Sequence, residues 1–128
     1  MRKTLFAAAL SAVSFIGSAH ALTVKQYLPG YRCMMLNVSH EQMMDFAHPV
    51  MFKASPDDGA SNALTATPQV AVKIGAPNVN GFTEVLQMNG KPAWIRSGLL
   101  APFYLKDAPQ TPCKVAVMSD GSVGFSHH

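Results

Sequence analysis

Three groups of side chains in this chain are of types that can do chemistry. The first is Cys33-Met34-Met35, His40, Met43-Met44 and His48, which concentrates soft sulfur and imidazole donors within 16 residues. His40, Met44 and His48 stand at i, i+4 and i+8, which lines them up on one face of a helix, and His/Met sets suit copper. The competing reading of the same residues is packing, with Met43, Met44 and Phe46 seating a helix while the histidines face water. The second group is Phe82, Glu84 and Trp94. Two rings beside a carboxylate can stack on a sugar or peptide and pair with an amine, or can be covered by elements outside their own sheet. The third is Cys33 with Cys113, the only two cysteines.

No reaction is written in this pattern. Serine, histidine and aspartate occur, but none sits in a nucleophile elbow, and there is no Gly-rich phosphate loop, CxxC pair or HExxH helix. Asp57-Asp58 precede Gly59, where a turn explains the carboxylates. The expectation is a protein that is not an enzyme and needs no cofactor.

The N-terminus bears on compartment. Arg2 and Lys3 precede an apolar run from Leu5 to Ile16, and Ala19-His20-Ala21 has the small-x-small form of a secretory cleavage site. The run is about a dozen residues, short of the roughly 20 that a spanning helix needs. Residues 1–21 are therefore expected to be a signal peptide, giving a periplasmic or secreted chain with no membrane span after cleavage. Arg2 and Lys3 would leave with it, and the net charge of +3 would fall to +1. The remaining cations are scattered, so no electrostatic footprint for nucleic acid is present. In an oxidising compartment Cys33 and Cys113 are expected to form a disulfide. Closing a loop of about 80 residues is worth roughly 4 to 5 kcal/mol in the chain-entropy model. The alternative, a catalytic or metal-binding thiolate, would need partners from a larger fold.

The elements that must position these groups fall into three stretches. Residues 22–48 read as an N-terminal extension in which Ser39 and Gln42 make a capping box for a short helix, Ser39 to Ala47, ended by Pro49. Residues 49–106 read as short strands, Val50 to Lys53, Val70 to Ile74, Phe82 to Gln87 and Pro92 to Arg96, with turn-rich segments at Ser55 to Asn62 and Gly75 to Gly81. Residues 107–128 read as a tail hairpin, Lys114 to Met118 and Ser122 to Phe125, turning at Asp120-Gly121 through a two-residue signal.

The turn at Asn89-Gly90 sets the register of the central hairpin. A two-residue turn would put Glu84 opposite Ile95, a carboxylate beside an apolar core residue. A three-residue loop, Met88-Asn89-Gly90 with Gly90 left-handed, instead pairs Thr83 with Ile95 and Val85 with Ala93. Val85 and Ile95 then point inward, and Phe82, Glu84, Leu86 and Trp94 share the other face.

Residues 49 to about 103 resemble a bacterial SH3-like domain. Met51-Phe52-Lys53-Ala54-Ser55-Pro56 is similar to its opening strand and long first loop, Gly81-Phe82-Thr83-Glu84-Val85 to its Gly-aromatic-x-x-Val strand, and Asn89-Gly90 to its distal turn. Ala93-Trp94-Ile95 with Leu99-Leu100 is similar to its next strand, single helical turn and last strand. Phe82 stands where tryptophan is commoner, Ala93 where glycine is, and Leu99 where peptide-binding members often carry tyrosine. The resemblance implies a mainly β fold: a five-stranded SH3-like barrel, here with a short N-terminal helix and a C-terminal β-hairpin, clasped by one disulfide. It further implies a binding or scaffolding module for a cell-wall (peptidoglycan) peptide or glycopeptide, or for a periplasmic protein, with Phe82, Glu84 and Trp94 as ligand-binding residues. Copper binding through the Met/His segment is the alternative.

Overall fold

A computed structural model describes residues 21–128; the expected signal peptide lies almost wholly outside them. No helix among the described residues is long and apolar enough to cross a membrane. The chain runs β1 (Val24–Tyr27), β2 (Tyr31–Leu36), α1 (His40–Met43), β3 (Met51–Lys53), β4 (Asn62–Thr65), β5 (Gln69–Lys73), β6 (Phe82–Leu86), β7 (Pro92–Arg96), a 3-10 turn Ser97–Leu99, β8 (Leu100–Pro102), β9 (Lys114–Met118) and β10 (Val123–Ser126). These strands form a seven-stranded sheet in the order β4-β3-β7-β6-β5-β2-β8 and a three-stranded sheet β1-β9-β10.

Chain connectivity bends the larger sheet. β7 and β8 are four places apart in it, which is about 19 Å at the usual strand spacing of about 4.8 Å. The link between them is the 3-10 turn Ser97–Leu99, and the four steps from Arg96 to Leu100 span at most about 14 Å even fully extended. A flat sheet cannot satisfy this connection, so the sheet curls round on itself. Its concave face encloses Leu36, Phe52, Val70, Val72, Val85, Ala93 and Ile95. Alternation then points Cys33, Ala71 and Leu86 outward, and there they meet Val115 and Val123 of the smaller sheet. The Cys33–Cys113 disulfide, with Cα atoms 5.8 Å apart, ties β2 to the start of β9 on this side.

The expected disulfide and the mainly β class are therefore present, but the architecture differs from expectation in three respects. The expected five-stranded barrel is replaced by sheets of seven and three strands. Residues 22–48 supply β1 and β2, and β2 sits within the larger sheet, paired with both β5 and β8. The expected helix from Ser39 to Ala47 contracts to the single turn His40–Met43. Its capping is as expected, with the Ser39 hydroxyl accepting from the Gln42 N–H at 3.1 Å, but Met44 already closes it. A carboxylate then holds the following turn out of the helix, since Asp45 accepts from the His48 N–H at 3.2 Å just before Pro49.

The central hairpin adopts the expected register, Thr83 opposite Ile95 and Val85 opposite Ala93. Gly90 has φ of +80° in the three-residue loop, and the Asn89 side chain accepts from the Lys91 N–H at 2.9 Å. The tail hairpin also takes a three-residue loop rather than two: the Met118 N–H donates to Ser122 and the Gly121 N–H to Met118. Here the Ser122 hydroxyl, then its N–H, hold the Asp120 carboxyl below the usual carboxylate range. A depressed folded pKa means that this turn's contribution is complete above the ordinary range and is lost as pH falls through the lower folded value.

Ile95→Ala should cost about 3 kcal/mol in urea unfolding, because it opens a cavity where the sheet curls. The double change Cys33→Ala/Cys113→Ala should cost about 2 to 4 kcal/mol by the same measurement. A cost near zero for the double change would mean that the packing between the sheets holds without the crosslink.

Candidate functional site

Reading straight across the outward face of the larger sheet gives one continuous row. Lys53 on β3 stands opposite Trp94 on β7, and Trp94 opposite Glu84 on β6. One step on from the Val72–Val85 pair, Lys73 on β5 comes level with Glu84, and Tyr31 on β2 is paired with Lys73. Directly opposed residues share a face, so Lys53, Trp94, Glu84, Lys73 and Tyr31 line up across five strands. The neighbouring row, Leu86, Ala71 and Cys33, is covered by the smaller sheet.

Local sequence explains why Trp94 is held level. Ala93 and Ile95 on either side of it are buried in the concave core, which fixes the strand's pleat and directs Trp94 outward, where it is partly exposed. Glu84 is similarly fixed by buried Val85. Its side chain is 25% exposed and lies 3.9 Å from the Lys73 ammonium. On the other side of Trp94, the Lys53 ammonium donates to the Asn62 side-chain oxygen at 2.7 Å. The row thus presents an indole between a carboxylate and an ammonium.

Phe82 departs from expectation. It lies on the outward face in register with Arg96, yet it is only 2% exposed. The turn before it explains the difference. Asn80 and Gly81 both have positive φ, 52° and 81°, and the tight reversal folds Val79 back onto Phe82 through two backbone hydrogen bonds. The Arg96 guanidinium then lies 5.1 Å over the ring, and Asp58 from the loop after β3 holds it with a 3.0 Å hydrogen bond and an ion pair. The Asp58 contact raises the already high Arg96 pKa. Of the three expected ligand-binding residues, Trp94 and Glu84 are adjacent and accessible, while Phe82 is roofed over.

The expected alignment of His40, Met44 and His48 is absent, because the helix stops at Met43. His48 turns instead to Asp45, 3.4 Å away. Among the described residues no three His, Cys, Asp or Glu side chains are grouped to hold a metal ion.

Sequence reasoning missed the structural roles of two residues elsewhere in the fold. Gln87 is buried, and its side-chain oxygen accepts from the Leu64 N–H at 2.8 Å, fastening β4 to the central hairpin. His127 is stacked on Phe103 at 5.5 Å with its Nε2 2.8 Å from Gln69 Nε2, beside an apolar groove of about 400 Å³ between the sheets. Neither carries a local pattern, since both act through residues far away in sequence.

No family model matches this chain, and neither a curated protein nor a solved structure matches it.

The contrast between the two aromatics is measurable. Phe82→Ala should cost about 3 kcal/mol in urea unfolding followed by circular dichroism. Trp94→Ala should cost about 1 kcal/mol or less, as expected for a partly exposed side chain. Equal costs would show that Trp94 is as deeply packed as Phe82.

Proposed function

We propose that this chain is an exported SH3-like binding or scaffolding module that uses the Trp94 and Glu84 face to recognise a cell-wall peptide or glycopeptide, or a periplasmic protein. The observation that carries the reading is Trp94 held outward by buried Ala93 and Ile95, next to Glu84 and beyond the area that the smaller sheet covers. An indole so fixed is a preorganised stacking surface, and little side-chain entropy is lost when a ligand lies on it.

The SH3-like part of the reading draws on connectivity. β2, β5, β6 and β7 are successive antiparallel neighbours, and β8, after a 3-10 turn, returns to the free side of β2. On this reading β2, and not Met51–Lys53, is the opening strand, and β3 with β4 elaborates the long first loop. The exported part draws on the disulfide, which persists in oxidising compartments, and on the leader-like residues Arg2 to Ala21.

Purified peptidoglycan sacculi should retain the protein in a co-sedimentation assay, and Trp94→Ala should reduce retention about tenfold or more, as loss of a central aromatic anchor does. Undiminished retention of Trp94→Ala would remove this face from the interaction. Absence of any retention, with a Trp94-dependent partner recovered from periplasmic extract, would select the protein-binding form of the reading.

A further inference from the structure

The charges around Trp94 are unevenly satisfied. Three cationic side chains project from the outward face of the larger sheet near this row. Lys73 meets Glu84 and Arg96 meets Asp58, each a carboxylate. Lys53 meets only the amide oxygen of Asn62. Among the described residues no carboxylate comes within ion-pair reach of Lys53. Asn62 fixes where the ammonium sits without neutralising it, and two of its three N–H donors remain for another acceptor. The unneutralised cation is the one directly opposite the chain's single tryptophan.

Spacing narrows what could complement this arrangement. Lys53 and Glu84 lie two strands apart with Trp94 between them, about 10 Å at the usual strand spacing. That distance equals about three residues of extended peptide. A ligand matching the row therefore carries a carboxylate at one end, an apolar or planar group in the middle and an N–H donor at the other. We propose that the row recognises a short peptide with a free carboxylate and a free amine. The carboxylate pairs with Lys53, the central side chain packs on Trp94, and the amine reaches Glu84 in competition with Lys73. A neutral glycan would leave Lys53 unused, and an inorganic anion would leave Trp94 and Glu84 unused. This inference rests on the proposed binding role of the Trp94 face and adds the chemical class of the ligand.

Because Trp94 is the only tryptophan, its fluorescence reports on this row alone. The test is a titration of the purified protein with a tripeptide carrying free termini and a central leucine, with the same peptide amidated at its C-terminus, and with the same peptide acetylated at its N-terminus. The free peptide should bind about five- to tenfold more tightly than the amidated form, the usual scale for one charge-assisted contact at a surface. Lys53→Gln should weaken the free peptide by the same factor and leave the amidated peptide unchanged, while a thermal melt shows an intact fold. Glu84→Gln should abolish the difference between free and acetylated peptides.

Equal affinity for free and amidated peptides, an unaltered affinity in Lys53→Gln, or no binding by any of the three overturns the proposal. If it is overturned while sacculi or a partner still bind through Trp94, the binding role survives and only the ligand class is wrong. If Trp94→Ala leaves those interactions intact, the binding role itself fails.

Discussion

The structure depends on covering β2 and β5 from both sides. Their inward residues Leu36, Val70 and Val72 fill the curl of the larger sheet, and their outward residues Cys33 and Ala71 are closed off by Val115 and Val123. Ala71 has no exposed surface, so a small side chain marks where the larger sheet meets Val115 and Val123. With two cores sharing one pair of strands, the smaller sheet is part of the fold and not an appendage. The Cys33–Cys113 bond falls on this shared wall. A crosslink whose chain-entropy value has an upper limit of roughly 4 to 5 kcal/mol is a large share of the net stability of a small domain, which suits a chain whose cores are each only a few residues wide.

That arrangement decides which part of the sheet meets solvent. Coverage by the smaller sheet takes in the row of Leu86, Ala71 and Cys33 and, in the next row, reaches Tyr31. At the opposite end, the reversal at Asn80-Gly81 and the Arg96 guanidinium close over Phe82. The stretch from Lys53 to Lys73 is the strip left between two covered zones, and its polar ends agree with that exposure. Phe82 and Trp94 are both outward-facing aromatics; their different surroundings come from the turns at the strand ends and not from the strands.

What could be read in the sequence follows the same boundary. β3 and β7 alternate between a packed and a less packed face, β5 is a short apolar run covered on both faces, and the cost of placing Glu84 opposite Ile95 decides the register of the central hairpin. β2 carries no such signal. Tyr31-Arg32-Cys33-Met34-Met35-Leu36 shows no period of two and reads as a soft-ligand cluster within an N-terminal extension. β1 is largely exposed and polar and is a strand because β9 pairs with it. β4 follows directly on a turn-rich segment and is held in place by the distant Gln87 side chain. The capping box at Ser39 marked a true helix start, but the Asp45 cap and Pro49 set its length. Trp94 and Glu84 were legible as neighbours from register alone. The roof over Phe82 was not, because Asp58 and Arg96 meet across 38 positions of sequence.

Net charge conceals the electrostatics that matter here. A total of +3, much of it near the N-terminus, gives no hint of a preferred partner. At the sheet surface the balance is local: Asp58 cancels Arg96, Glu84 partly cancels Lys73, and Lys53 keeps its charge beside an aromatic ring. Exposed ion pairs of this kind add only about 0 to 1 kcal/mol each to stability, so they do little to hold the fold. Their larger effect is to leave Lys53 as the uncompensated cation of the outward face near Trp94. What remains is one ammonium, one indole and one half-compensated carboxylate in fixed order, the arrangement on which the proposed peptide recognition rests.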